Sequence, residues 1–200
     1  MNTAHPWHGV SAGSEFPELI TAYIEITPFD TVKYELDKAS GLLKIDRPQK
    51  YSNLCPALYG FVPQTYCGDK IGQLCTEHTG TPGIKGDGDP LDICILSEKP
   101  INCNNILIDC IPVGGLRMID KNEADDKIIA VMKNDLVYGN ITDISEIPDA
   151  ILQRLLHYFK TYKLEPSSES NAVEIAAVYN REMARKVLFC AAEDYKALKQ

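Results

Sequence analysis

Three aspartates lie close together in the stretch KGDGDPLDICIL, which occupies residues 85–96. Asp87, Asp89 and Asp92 lead directly into an apolar segment that is typical of a buried strand. Neighbouring carboxylates raise one another's pKa and destabilise a fold unless another group offsets their repulsion. A divalent cation would do so, whereas the ordinary alternative for an isolated Asp-Gly-Asp is a solvated acidic turn.

Two other uses of these aspartates do not fit their surroundings. In an EF-hand calcium loop starting at Asp87, Leu91 would occupy a ligand position and Asp92 the position of the required glycine. A phosphatase nucleophile of the Asp-x-Asp type should follow an apolar strand, but the residues before Asp87 are GTPGIKG. Both uses are therefore rejected.

A second acidic cluster lies in RMIDKNEADDKIIAV, where Asp120, Asp125 and Asp126 border another apolar strand. Taken alone, such a cluster is as easily a solvated loop. The chain also carries cationic and phenolic residues that could bind phosphoryl oxygens, namely Lys33, Arg47, Tyr59, Lys127, Tyr162 and Lys163. Carboxylates for Mg²⁺ together with such groups are the parts needed for metal-assisted phosphoryl transfer.

The elements that must position these residues are mostly strands. The patterns predict strands in 21–28, 32–47, 91–96, 105–119 and 127–132. Residues 32–47 read as a hairpin with its loop at 38–41, where Gly41 could take a positive φ. Lys33 and Glu35 share one strand face, because side chains two residues apart point the same way.

Two finer features of these strands are also predicted. In 21–28 successive residues alternate between a face that holds Tyr23 and Glu25 and an apolar face, and this pattern indicates a half-buried strand. The pair Gly114-Gly115 indicates a bulge or a sharp corner within its strand.

The predicted helices come last. An apolar stripe predicts an amphipathic helix in 148–163, and 171–198 reads as a longer helix with Asn171 as N-cap and Glu174 three residues on. Residues 62–86 hold five glycines and two prolines and read as a loop-rich segment. Strands followed by helices favour an α+β fold that is mainly β, a closed barrel with helices packed outside it.

Composition limits the function further. The chain of 200 residues fits one domain, 1–200, and its net charge of −8 argues against nucleic-acid or membrane binding. No run approaches the roughly 18 apolar residues of a membrane span, and the N-terminus lacks the pattern of a secretory signal. Seven cysteines without a CxxC pair read as reduced thiols, so we expect a cytoplasmic protein.

At this point a family resemblance becomes specific. DGDPLD resembles the Asp-x-Asp-Pro-apolar-Asp motif of the soluble, family I inorganic pyrophosphatases. Further blocks look like those of the family in the same order: YIEI, VKYELDKASGLLKIDR, PALYGFVPQT, IPVGGLRMID with ADDKIIAV, and HYFKTYK. Together they span about residues 22–163.

The resemblance implies an OB-like five-stranded closed barrel with flanking C-terminal helices. It implies Mg²⁺-dependent hydrolysis of inorganic pyrophosphate to two orthophosphates, by direct attack of a water that bridges metal ions. It also implies a homo-oligomer, either a hexamer or a dimer. A nucleotide pyrophosphohydrolase would need a base-binding aromatic pocket, and an OB-fold module for single-stranded nucleic acid would need a basic groove with stacking aromatics.

Residue roles follow from the same resemblance. Asp89 would be the general base. The phosphates would be held by Lys33, Arg47, Tyr59, Lys127, Tyr162 and Lys163, and the metals by Asp87, Asp92, Asp120, Asp125, Glu35 and Glu25. The chain departs from the family pattern at Cys55, where many members have tyrosine, at Leu58, where many have asparagine, and at Lys121, where an acid often stands. An ammonium of Lys121 inside the cavity would weaken metal binding beside Asp120, whereas one that projects outward would have no such effect.

Overall fold

The structure is a computed structural model and describes residues 4–164 and 173–199. Within these ranges a short 3-10 helix, Ile144–Glu146, accompanies the following strands and helices: β1 (Ile20–Ile26), β2 (Val32–Leu36), β3 (Leu43–Pro48), β4 (Leu58–Phe61), α1 (Asp69–Thr79), β5 (Lys85–Gly86), β6 (Asp92–Leu96), β7 (Ile106–Asp120), β8 (Glu123–Ala124), β9 (Lys127–Met132), α2 (Asp149–Thr161), β10 (Val173–Asn180) and α3 (Arg181–Leu198). None of the helices described is both long and apolar enough to cross a membrane.

Five strands close on themselves. β1 pairs with β4, β4 with β6, β6 with β9 and β9 with β7, and β7 pairs again with β1. Every contact in this ring is antiparallel except the parallel pairing of β6 with β9. The predicted five-stranded closed barrel with flanking helices is confirmed, and β2 and β3 form a separate hairpin beside it.

The long strand β7 extends beyond the ring within the same eight-stranded sheet. It pairs with β1 and β9 in the ring, and also with β8 and β10 beyond it. Its register against β9 shifts between Pro112 and Gly114, which confirms the predicted bulge. A side chain on Gly114 would meet the carbonyl oxygen of Tyr179 at 2.5 Å, so glycine also permits the close approach of β10.

The prediction that β1 is half-buried is wrong, because both of its faces are covered. One face joins the barrel interior, where Ile20, Ala22 and Ile24 are fully buried. On the other face Tyr23 is only 2% exposed, since it packs in a cluster with Trp7, Phe61 and Tyr195. The N-terminal segment and α3 therefore close over a strand face that alternation alone assigned to solvent.

The loop-rich interpretation of 62–86 is also corrected, because α1 occupies Asp69–Thr79. The glycines mark its ends and its packing. Gly80 ends the helix in the left-handed conformation, with φ 72°, and donates its N–H to the carbonyl of Thr76. Gly72 lies inside the helix where an added Cβ would come within 2.8 Å of the Ile84 carbonyl oxygen. Close approach to β5, rather than flexibility, explains this glycine.

The single helix predicted for 171–198 is wrong in its first part. Val173–Asn180 is strand β10, and the helix begins only at Arg181. Glu174 therefore lies in a strand, and the N-cap is Asn180, whose side chain accepts the N–H of Met183 at 3.0 Å. Asn171 lies outside the described residues. The helix predicted for 148–163 is confirmed as α2, which begins after Pro148.

Helix α1 has its N-terminus capped from a distant helix. The carboxylate of Asp194, on α3, accepts backbone N–H bonds from Gly68 at 3.0 Å, Lys70 at 3.0 Å and Ile71 at 3.1 Å. The side chain of this residue is nearly buried. Its negative charge also interacts favourably with the positive end of the α1 dipole. Asp194 therefore joins the two helices.

We expect Asp194→Ala to lower the free energy of unfolding by about 2–3 kcal/mol, because helix N–H groups would lose their acceptor in a poorly hydrated place. Urea unfolding at 25 °C measures the change. Glu193→Ala, which removes the neighbouring exposed carboxylate of a surface ion pair with Lys70, is the matched control and should cost less than 1 kcal/mol. Equal losses in the two variants would contradict the capping role.

Candidate active site

The loop between β5 and β6 brings the first three aspartates together. Gly88 has φ 78°, a conformation that favours glycine and turns the chain between Asp87 and Asp89. The backbone of Cys67 fixes the loop by accepting the N–H of Gly88 at 3.0 Å and donating to the carbonyl of Asp89 at 2.8 Å. Asp87, Asp89 and Asp92 consequently line one cavity of about 350 Å³.

The second acidic cluster divides between two faces of one chain segment. Asp125 and Lys127 line the cavity, whereas Asp126 between them is buried on the opposite side against Arg117. Alternation along an extended chain explains the separation. The parallel register places Lys127 beside Asp92, so the ends of β6 and β9 present both residues at the same edge. Asp126 is a structural residue and does not reach the cavity.

The hairpin of β2 and β3 supplies the opposite wall. Lys33 forms ion pairs with Glu35 on the same face and with Asp46 at 3.2 Å, which agrees with the predicted shared face. Glu25 projects from β1 and accepts the backbone N–H of Leu36 at 2.6 Å. This bond ties the barrel to the hairpin.

Most of the residues named from the sequence line this cavity. Those that do are Asp89, the phosphate-binding candidates Lys33, Tyr59, Lys127, Tyr162 and Lys163, and the metal-binding candidates Asp87, Asp92, Asp120, Asp125, Glu35 and Glu25. Arg47 is not among the lining residues. Its guanidinium donates to the carbonyl of Pro48 at 3.3 Å, and its Nε lies 3.8 Å from Asp46.

Ammonium groups lie between the carboxylates. Lys127 is fully buried and contacts both Asp92 and Asp125, while Lys163 contacts Asp120. The phenol of Tyr59 donates to Asp92 as well. Burial acts to lower the pKa of Lys127, but the carboxylates of Asp125 and Asp92 outweigh burial and hold it well above its ordinary value.

Two acids of the cavity hold their protons far more tightly than in water. Burial raises the pKa of Asp87 to about 8, and the negative charges of Asp125 and Asp92 add to the effect. Burial likewise raises the pKa of Glu25 to about 8, again with a contribution from Asp92. The cavity therefore carries an excess of negative charge that its four lysines do not neutralise.

The donor set fits a hard divalent cation. Carboxylate oxygens line the cavity without histidine or cysteine, and the buried Oδ1 of Asp120 has no hydrogen-bond partner within the described ranges. In residues 4–164 and 173–199 no three acidic, histidine or cysteine side chains lie close enough together to hold a metal ion. Lys127 contributes to this spacing, because its ammonium occupies the space between Asp92 and Asp125 that a cation would share.

Two charged residues of the cavity lining, Lys38 and Glu123, were not predicted from the sequence. Lys38, in the β2–β3 loop, forms an ion pair with Asp89, and Glu123 lies on β8 across from Asp120. Lys38 lies in the loop of the predicted hairpin 32–47, but nothing in the sequence indicates that this loop bends towards Asp89. For Glu123 the available signal was Asn122, a residue that tolerates positive φ and so indicates a tight turn.

The three residues that depart from the family pattern lie outside the cavity lining. Cys55 and Leu58 are buried in the core. Lys121 is exposed and does not line the cavity. The alternative in which Lys121 weakens metal binding from inside the cavity has no support from this arrangement.

Comparison with known proteins decides the family. The family model described as inorganic pyrophosphatase matches residues 22–196. The chain belongs to the inorganic pyrophosphatase family. An inorganic pyrophosphatase of Chlamydia trachomatis is 53% identical over 199 residues, which cover 98% of this chain and 95% of the relative. The soluble inorganic pyrophosphatase of Zea mays is 36% identical and matches 92% of this chain and 76% of its own length.

Solved structures of other inorganic pyrophosphatases share the fold. The enzyme from Thermus thermophilus superposes with a TM-score of 0.80 at 27% identity, covering 97% of this chain and 99% of that one. The enzyme from Helicobacter pylori gives a TM-score of 0.75 at 33% identity, covering 94% and 97%. The cavity of this inorganic pyrophosphatase family member thus lies in a barrel that its relatives also possess.

Proposed function

We propose that the chain hydrolyses inorganic pyrophosphate to two orthophosphates and requires Mg²⁺. The observation that carries this proposal is one cavity lined by eight carboxylates and four lysines. A polyanionic substrate can enter such a cavity only if divalent cations neutralise the carboxylates, and the lysines then remain available for the phosphoryl oxygens.

The acidic residues divide the work of holding the cations. Asp87, Asp92 and Asp125 would hold a resident ion, with Asp120 joining Asp125 for ions that arrive with the substrate. Glu25 and Glu35 complete the acidic walls of the cavity. When bound, Mg²⁺ lowers the pKa of water and neutralises charge on the phosphoryl oxygens. The unpartnered Oδ1 of Asp120 and the oxygen-only donors support this assignment.

Asp89 is our candidate for the general base. Its side chain is about half exposed at the cavity mouth, where water has access, and in the described residues its only ion pair is with Lys38. A carboxylate in this place can accept the proton of the attacking water as the phosphorus–oxygen bond forms.

The cations and phenols would hold the two phosphoryl groups. Lys127 and Lys163 lie among the acids that would take the metals, and Lys33 faces them from the hairpin. Tyr59 and Tyr162 supply hydroxyls from β4 and the end of α2. Arg47 is paired in register with Lys33, so it lies beside this wall and could approach a bound phosphate by a change of its own rotamer.

Phosphate release tests the proposal directly. With Mg²⁺ present, pyrophosphate should yield phosphate rapidly and ATP at least a hundredfold more slowly, because carboxylates and lysines on opposite walls of the cavity suit a substrate with a phosphoryl group at each end. Removal of Mg²⁺ by a chelator should abolish the reaction, and restoring the ion should restore it. Comparable rates with ATP would instead support a nucleotide pyrophosphohydrolase, and no release from pyrophosphate would refute the proposed function.

We also infer the cellular compartment, the partners and the oligomeric state of the enzyme. Its seven cysteines are all free thiols, five of them buried, which supports a reducing compartment such as the cytoplasm. The negative net charge disfavours nucleic-acid and membrane partners. Membership of the family supports a homo-oligomer, either a hexamer or a dimer, and light scattering of the purified chain would distinguish them.

A further inference from the structure

A two-residue turn places an additional carboxylate at the cavity. Lys121 and Asn122 both have positive φ, 49° and 71°, which are the two central residues of a type I′ turn. Such a turn joins β7 to β8 and sets Asp120 directly opposite Glu123 in the antiparallel register. The side chain of Asn122 holds the turn by donating to the carbonyl of Gly83 at 2.8 Å.

The turn determines which charges meet the cavity. Residues directly opposite in an antiparallel pair point to the same face, with Cβ atoms about 5 Å apart. Asp120 and Glu123 accordingly both line the cavity, whereas Lys121 lies at the tip and does not. Although Lys121 follows Asp120 in the sequence, the residue beside Asp120 in space is therefore a second acid, Glu123.

The hydrogen bonding of this pair is incomplete. Oδ2 of Asp120 contacts Lys163, but its Oδ1 is buried and has no partner among the described residues. Glu123 makes no side-chain hydrogen bond or ion pair within the same ranges, although it faces a like charge. Like charges opposite one another on a sheet are destabilising, and a cation shared between them removes the repulsion.

We propose that Glu123 is a further cation-binding residue of the cavity, which takes, with Asp120, a divalent cation that enters with pyrophosphate. This inference rests on the proposed function, because that function supplies the substrate that brings the cation. Glu123 would act by direct coordination or through a bound water, which suits an ion that keeps several waters. The carboxylate therefore sets the affinity for substrate-bound metal rather than the proton transfer.

The test compares Glu123→Gln with the wild-type full chain. Mg²⁺ binding is measured by calorimetry in the presence of methylenediphosphonate, a non-hydrolysable pyrophosphate mimic, at fixed pH and ionic strength. We expect the variant to bind the mimic-associated Mg²⁺ three- to tenfold more weakly. Half-activation of pyrophosphate hydrolysis should move to higher Mg²⁺ by a similar factor, while turnover at saturating Mg²⁺ changes less than twofold.

Two control variants separate a local effect from a change in net charge. Lys121→Gln alters the adjacent charge at the tip of the turn, and Glu77→Gln removes an exposed carboxylate from α1, outside the cavity lining. Both should leave the Mg²⁺ titration within twofold of the wild type. A shift in Glu77→Gln as large as that in Glu123→Gln would overturn the proposal, and so would an unchanged titration in Glu123→Gln.

Failure of this inference is distinguishable from failure of the proposed function. If wild-type protein hydrolyses pyrophosphate but Glu123→Gln binds Mg²⁺ as the wild type does, only the role of Glu123 is refuted. If the wild type does not hydrolyse pyrophosphate, the calorimetric comparison with the mimic still decides whether Glu123 binds the cation. The metal-free melting temperature of Glu123→Gln should equal or exceed that of the wild type, because the substitution removes a repulsion.

Discussion

Asp89→Asn should lower the turnover of pyrophosphate by about 10²–10⁴, the usual contribution of a general base. The amide keeps the size of the carboxylate but cannot accept a proton at ordinary pH. The fold should persist, because Asp89 is half exposed and its backbone bond to Cys67 does not involve the side chain. Steady-state kinetics at saturating Mg²⁺ and pyrophosphate measure the loss.

The control for this result is a carboxylate-to-amide change outside the cavity. Asp69→Asn, in the exposed first turn of α1, should keep turnover within twofold of the wild type. The melting temperature of Asp89→Asn should still rise with Mg²⁺, since the remaining carboxylates are intact and a ligand that binds only the folded state stabilises it. Wild-type turnover in Asp89→Asn would remove this residue from the proton transfer.

The barrel was predictable from sequence because its strands carry strong local patterns. The stretches that form β6, β7 and β9 are apolar runs with a charged residue at one end, and the structure places these charged ends at one edge of the ring. The position of Gly41, with φ 71°, likewise follows from local turn chemistry. The acidic and basic residues of the cavity were found because their types, rather than their contacts, indicate phosphoryl chemistry.

What the sequence did not predict depends on contacts between distant segments. Helix α1 is short, and its N-terminus is capped by Asp194 rather than by a neighbouring residue, so the sequence carries no local N-cap signal for it. Strand β10 contains helix-compatible residues and becomes a strand by pairing with β7. Tyr23 is buried by Trp7 and Tyr195, which arrive from both ends of the chain. In each case tertiary packing decided between two local possibilities.

Asp126 shows why a cluster of like residues cannot be interpreted as one site. It stands between two cavity residues in sequence, yet its carboxylate accepts three bonds from the guanidinium of Arg117. Nε donates to Oδ1 at 3.3 Å and to Oδ2 at 3.2 Å, and Nη2 donates to Oδ2 at 2.9 Å. Both side chains are almost completely buried. Arg117 also donates to the carbonyl of Leu74 at 3.2 Å, so the pair joins β7, α1 and the chain segment before β9.

The second large effect is expected from breaking this buried pair. Arg117→Met should lower the free energy of unfolding by about 3–5 kcal/mol, because it leaves the Asp126 carboxylate buried without its partner. Burial already raises the pKa of Asp126 although Arg117 opposes that effect, so the unpaired carboxyl would be strongly disfavoured in its charged form. Urea unfolding followed by linear extrapolation measures the change.

The double variant Arg117→Met with Asp126→Leu tests the cause of that loss. If the loss comes from the stranded charge, replacing both partners by apolar side chains should recover the free energy of unfolding to within about 2 kcal/mol of the wild type. A double variant as unstable as Arg117→Met would instead assign the loss to the bond with Leu74 and to packing. Because Asp125 and Lys127 flank Asp126, phosphate release by the recovered double variant also reports whether the buried pair orients the cavity residues. Activity that recovers together with stability would limit Asp126 to a structural role.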